Sequence, residues 1–197
     1  MNVAAHATVY TNSGGTLSTI SPFGSPDSTS YGEFFTAPGG ALQSWTFYSD
    51  SVNTAGNLEL VIANWTGTAA TGPALYTSGT ISDAGTSGEA LTFSGINLAL
   101  TSGQQYIAYM TVAGVSNPVQ GAEIETSSTN VLSSGAAYDN SNGADPLTSG
   151  NNTWHIAGGQ FNFSATFGPA SVPEPAGMAT LLFGLVGLGF IRRRRPL

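Results

Sequence analysis

Between Asp139 and Asp145 the chain reads DNSNGAD, a run of carboxylate, carboxamide and hydroxyl oxygens of the kind that holds calcium. The run lacks the Asp-x-Asp-x-Asp-Gly order and the following Glu of a helix-loop-helix calcium loop, and Asn, Asp and Gly are also ordinary turn formers. Asp139 and Asp145 are therefore a calcium candidate weighed against a plain turn. Trp45, Trp65 and Trp154 are the three tryptophans, and a flat indole face can stack on a pyranose ring as well as fill a core. Core packing is the first reading, and it suits Trp45 best because that residue falls inside a strand pattern. Trp65 and Trp154 stand among Asn, Thr and Gly, so these two are the candidates for a glycan contact.

Other chemistry finds little support. Serine and threonine hydroxyls are plentiful, but a nucleophilic hydroxyl needs a base. His155 is the only histidine within the expected fold, since His6 lies near the start of the chain. There is no Gly-x-Ser-x-Gly and no His-Glu-x-x-His. A multi-imidazole metal site is excluded with two histidines, and disulfides, thiol catalysis and thiolate-held metals are excluded with no cysteine. A pair of carboxylates could serve a glycosidase, yet nothing singles out such a pair. No catalytic residue and no cofactor is expected. The triplets Asn64-Trp65-Thr66, Asn151-Asn152-Thr153 and Asn162-Phe163-Ser164 match glycosylation sequons.

Charge narrows the partners. Only 8% of residues are charged, eleven of them acidic and four basic. The four bases are Arg192, Arg193, Arg194 and Arg195, so everything before them is free of lysine and arginine. A polyphosphate backbone is repelled by such a surface, and nucleic acid is not a partner. With 41% apolar and 10% aromatic residues the chain can still build a core. Low charge with abundant Ser, Thr, Gly and Asn fits an extracellular β-protein.

The elements that would carry these side chains read as strands. Phe161, Phe163, Ala165 and Phe167 alternate with Asn162, Ser164 and Thr166, the period of a half-buried strand. Tyr106–Val112 is apolar on both faces and is expected at the centre of a sheet. Leu58–Asn64 and Leu42–Tyr48 are two further strands. From Leu91 to Leu100 the apolar phase switches from odd to even positions at Gly95, which predicts a β-bulge there. No helical period occurs in the body. Ala37-Pro38-Gly39-Gly40 and four irregularly spaced Thr-Ser-Gly triplets read as turns. The expected fold is all-β, an antiparallel β-sandwich of jelly-roll type over residues 8–168.

The last 26 residues, VPEPAGMATLLFGLVGLGFIRRRRPL, differ from the rest. Val172, Pro173, Glu174 and Pro175 form a tetrapeptide in which two prolines remove backbone donors and keep the chain extended, at the end of a linker over 169–175. The uncharged run 176–191 follows, with Ala176, Leu181, Leu182, Phe183, Leu185, Val186, Leu188, Phe190 and Ile191 as its membrane-facing residues. As a helix it spans about 24 Å, short for a bilayer core of about 30 Å but within reach of snorkelling and thinning. The arginines of 192–197 then fix topology: they stay cytoplasmic, which places the acidic body across the membrane.

This composite of motif, apolar helix and arginine cluster resembles the PEP-CTERM sorting signal of Gram-negative bacteria. The resemblance implies export, transient residence in the inner membrane, and recognition near Pro173-Glu174-Pro175 by an exosortase, a membrane-embedded cysteine protease. It further implies release of the mature protein to the cell surface or the exopolysaccharide matrix, in systems tied to biofilm formation. The body is similar, in stretches such as YGEFFTAPGGALQSWTF and LALTSGQQYIAYMTV, to ectodomains joined to such signals. Export needs a leader, and Ala5-His6-Ala7 has the small-x-small form that precedes signal-peptidase cleavage, so residues 1–7 read as the remnant of a signal peptide. The function expected is a structural or adhesive role at the surface without catalysis; the alternative is a carbohydrate-binding module that contacts extracellular polysaccharide.

Overall fold

The computed structural model describes residues 6–13, 17–52, 54–139, 143–148 and 154–169. They form two antiparallel sheets of seven strands each, and no helix occurs among them. In chain order the strands are β1 (Thr8–Thr11), β2 (Leu17–Phe23), β3 (Ser30–Thr36), β4 (Ala41–Ser49), β5 (Gly56–Trp65), β6 (Ala70–Thr77) and β7 (Ile81–Asp83). There follow β8 (Glu89–Ala99), β9 (Gln105–Thr111), β10 (Ala122–Ser127), β11 (Gly135–Asp139), β12 (Trp154–Ile156), β13 (Gln160–Phe161) and β14 (Phe163–Phe167).

The first sheet runs β1-β14-β4-β10-β13, with β8 beside β4 and β2 beside β10. The second runs β12-β11-β3-β9-β5-β6, with β7 continuing the edge along β5. Their inner faces share one core, in which Phe35 of β3 meets Trp45 of β4 at a ring separation of 4.9 Å. Trp45 stacks in turn on Phe163 at 4.7 Å. Aromatic pairs at these separations add to the area they bury.

Local alternation produces most of this. In β4 the residues Leu42, Trp45, Phe47 and Ser49 point inward while Gln43 and Thr46 face out. The phase switch at Gly95 is a bulge: Ser44 and Leu42 of β4 pair with Ser94 and Leu98, so β8 carries extra residues between them. Gly95 and Asn97 take left-handed backbone there, φ 71° and 49°. Leu91 and Phe93 before it and Ile96 and Leu100 after it are all buried as a result. The expected central strand is β9, hydrogen-bonded to β3 on one side and β5 on the other.

One expected strand is divided. The run Phe161–Phe167 changes partners at Asn162, whose N–H makes a last bond to β10, at the Glu125 carbonyl, at 2.8 Å. Before the break the chain pairs with β10, and after it with β4 and β1. Alternation survives the break, because a buried Asn12 stitches it: its Nδ2 donates to the Phe161 carbonyl at 2.6 Å and its Oδ1 accepts the Phe163 N–H at 2.7 Å.

Register also assigns the two ends of the sandwich. Phe167, Leu42 and Leu98 lie level at one end, with the turns 37–40, 66–69 and 100–104. This is the end at which the described chain leaves the fold, at Gly168 and Pro169. Ser49, Glu89 and Ile124 lie level toward the other end.

Candidate functional site

Trp65, Trp154, Asp139 and Asp145, singled out from the sequence, converge on the outer face of the second sheet. Along β3, Ser30, Gly32 and Phe34 point away from the shared core, and along β11, Ala137 and Asp139 do the same. Gly32 pairs with Tyr109 of β9, and a methyl group on Gly32 would sit 2.5 Å from the Tyr109 Cβ. The missing side chain lets the Tyr109 ring lie over the sheet. Trp154 meets that ring edge-on at 5.4 Å, and meets Trp65 edge-on at 5.8 Å. Trp65 stacks flat on Phe34 at 5.4 Å and 3°.

These rings form a second, smaller core with Val61, Ala63, Ile107 and Ala137, and Leu147 from the segment 143–148 packs against it. Trp65 is 5% exposed and Trp154 8% exposed. The expectation that their polar neighbours would leave them open to a sugar is corrected here: their faces are taken by Phe34, Tyr109 and each other. Short polar neighbours do not expose a ring when a chain segment crosses over it. Trp45, read as core, is wholly buried.

The calcium candidates sit at the rim of the same layer. Asp139 is buried and pairs with Trp154 in register. Asp145 bonds within its own turn, its Oδ1 accepting the Leu147 N–H at 3.0 Å, and it also faces the Tyr109 hydroxyl at 3.5 Å. Burial pushes the Tyr109 phenol above its ordinary range, and the charges of Asp145 and Asp139 push it the same way. The segment is tied down where the Gly143 N–H donates to Thr29 Oγ1 at 2.6 Å. Among the described residues no group of three or more His, Asp or Glu could hold a metal ion.

Two acidic sites escaped the sequence reading. Glu33 is completely buried on the inner face of β3, between Tyr31 and Phe35 in phase. Its Oε2 accepts the Phe161 N–H at 2.8 Å, while Oε1 has no hydrogen-bond partner. Burial raises its pKa from the ordinary 4.5 to about 8, against smaller opposing pulls from the nearby Ser134 hydroxyl and the Phe161 N–H. Glu33 is therefore a neutral carboxylic acid at pH 7. The alternation of Tyr31-Gly-Glu33-Phe-Phe35 already placed it inward.

The second site is Asp83, also buried, where β7 turns toward β8. It accepts the Gly85 N–H at 2.7 Å and the Ser49 hydroxyl at 3.0 Å. Burial raises its pKa, and the neighbouring Glu89 contributes in the same direction. Glu89 is itself held by the Ala84 N–H at 2.9 Å and the Thr86 hydroxyl at 3.2 Å. The arrangement pins a turn and two strand ends. His155 stacks on Tyr138 at 5.3 Å.

Of the sequons, Asn64 is exposed, whereas Asn162 is buried and donates to Glu125 at 2.7 Å. Val172–Pro175, the apolar run 176–191, the arginines 192–195 and residues 1–5 of the leader remnant lie outside the described residues. Among the described residues no helix is long and apolar enough to cross a membrane. Among the described residues, a cleft of about 510 Å³ opens at the chain-exit end beside Gly39, Asn97, Ser102 and Pro169, and another of about 280 Å³ opens beside Thr54, Asn117 and Gln120. No protein-family model, no curated protein and no solved structure matches this chain.

Proposed function

We propose that the chain is an exported bacterial surface or matrix protein, sorted through its C-terminal segment and structural or adhesive in role. The observation that carries this reading is the composite Val172-Pro-Glu-Pro175, apolar 176–191 and Arg192–Arg195 in one 26-residue stretch. On this reading 176–191 is a single transmembrane helix, Arg192–Arg195 remain cytoplasmic, and the sandwich stands outside the inner membrane. An exosortase-type protease takes the extended Val172–Pro175 as its substrate and releases the sandwich to the cell surface or exopolysaccharide. The strand arrangement is of jelly-roll type.

The fold suits such a role. Strands β1 and β14, at opposite ends of the body in sequence, pair with each other, so both ends of the body are locked into the first sheet. A domain closed in this way withstands cutting of the linker after Pro169. The sugar-binding alternative has no tryptophan to rest on in this conformation, and a polysaccharide partner would have to use another surface.

The test is the intact mass and location of the protein in a host with and without its exosortase. Loss of mass C-terminal to the Val172–Pro175 region, with release from the membrane only when the protease is present, is the expected result. A full-length, membrane-bound protein in both strains overturns the sorting reading.

A further inference from the structure

We infer that the chain-exit end of the sandwich is a membrane-facing surface, resting against the lipid headgroups while the acidic end points away. This rests on the proposed reading of 176–191 as a membrane span; what it adds is the face presented and the chemistry of its partner.

Chain length supplies the first argument. Pro169 lies in the wall of the cleft at the exit end. Ala176, where the apolar run begins, is seven positions further on. Fully extended, seven such steps reach about 25 Å. The nine residues of β4 alone extend about 30 Å along the sandwich. A tether shorter than the body cannot run back along its side, so the opposite end cannot be turned to the bilayer. Only end-on and side-lying poses remain.

Charge decides between them. The turns 37–40, 66–69, 100–104 and 128–134 at the exit end read APGG, TGTA, LTSGQ and STNVLSS, without one acidic residue. Glu174 lies in the tether itself; the ten acids of the described sandwich collect elsewhere. Asp27 and Asp50 lie in the far turns, Asp83 and Glu89 flank another, and Glu123 is bonded through its carbonyl to the Asp50 N–H. Glu59 and Asp139 lie level with Thr111 and Ser30 at the far ends of β9 and β3. Glu125, level with Asn162, and Asp145, beside Tyr109, complete the far half, and Glu33 is sealed in the core.

Anionic headgroups set up a negative field that decays over about 8 Å at physiological salt. Carboxylates in the far half lie beyond that distance, whereas a pose lying on either sheet face would press Glu59 or Glu123 and Glu125 into it. The exit end, without a carboxylate in its turns, meets anionic headgroups without repulsion, through backbone and hydroxyl groups.

The chain has no cysteine, so single labels report cleanly. Thr68→Cys labels the exposed β5–β6 turn at the exit end, and Val52→Cys labels the far β4–β5 turn, where Val52 is 64% exposed. The full-length chain is reconstituted in phosphatidylglycerol-containing vesicles bearing a headgroup-attached quencher. The label at 68 is expected to be quenched several-fold more than the label at 52, and a Thr68→Cys chain with Thr101→Glu added is expected to lose much of that difference. Equal quenching, or stronger quenching at 52, in protein that floats with the vesicles overturns the end-on surface while the membrane anchor stands. Protein that fails to float overturns the anchor, and this surface with it.

Discussion

The Glu33 carboxyl of β3 accepts the Phe161 N–H of β13 at 2.8 Å, across the gap between the two sheets. That N–H is free because Phe161 precedes the break at Asn162, and a strand that changes partners leaves a donor inside the core. An unpaired buried donor costs about 1–3 kcal/mol. Glu33 satisfies it at the cost of burying a carboxyl with no cation near it, and the carboxyl responds by keeping its proton.

The proton makes stability depend on pH with an unusual sign. Glu33 titrates at about 8 when folded against an ordinary 4.5, so between these values the folded chain binds more protons than the unfolded one. Its contribution is complete below about pH 4.5 and is lost as pH rises to about 8, with a slope of up to about 1.4 kcal/mol per unit. Asp83, also raised, acts with the same sign. Urea unfolding of the full chain at a series of pH values should show stability falling across this window; stability rising with pH would contradict the assignment.

Glu33→Gln removes the titration and keeps an acceptor for Phe161. The slope between pH 5 and 8 should flatten, and the variant should be relatively more stable at pH 8 than at pH 5 when each is compared with the parent. A parallel downward shift at all pH values would mean that Glu33 is ionised throughout.

Asn12→Ala strips two partners from the break in the strand, leaving the Phe163 N–H and the Phe161 carbonyl buried and unpaired. A loss of about 2–6 kcal/mol is expected from two such groups. The midpoint of thermal unfolding measures it, and a change within experimental scatter would show that water replaces the carboxamide.

Gly32→Ala places a methyl group 2.5 Å from the Tyr109 Cβ. Overpacking of this kind costs about 1–3 kcal/mol, and the aromatic layer above should shift with it. Near-ultraviolet circular dichroism, which reports the packing of Tyr109, Trp154 and Trp65, should change together with stability. A variant with unaltered aromatic signals would mean that the ring does not lie over the glycine.

Trp154→Ala should cost about 3–5 kcal/mol, the range for truncating a buried large aromatic, because both its neighbours lose a ring contact. Equilibrium unfolding reads this out. A neutral effect on stability would return Trp154 to the surface and revive the glycan reading.

Much of this protein was determined by its sequence alone, wherever the governing physics is local. Alternation put Phe163, Ala165 and Phe167 inside, and the odd-to-even switch at Gly95 required an extra residue whatever the partner strand. The absence of lysine and arginine before Arg192 already meant that any buried acid must be neutral or bonded to dipoles. Tertiary structure decided the rest, because it rests on pairings between distant segments. Trp65 and Trp154 lie 89 residues apart, and only the register of β5, β9, β3, β11 and β12 brings their rings to 5.8 Å and buries them. Glu33 was legible as inward, but not the donor it would meet, since Phe161 lies 128 positions away. The gathering of acids at one end is likewise a product of register: carboxylates scattered along the chain become neighbours only when antiparallel strands return their turns to the same place.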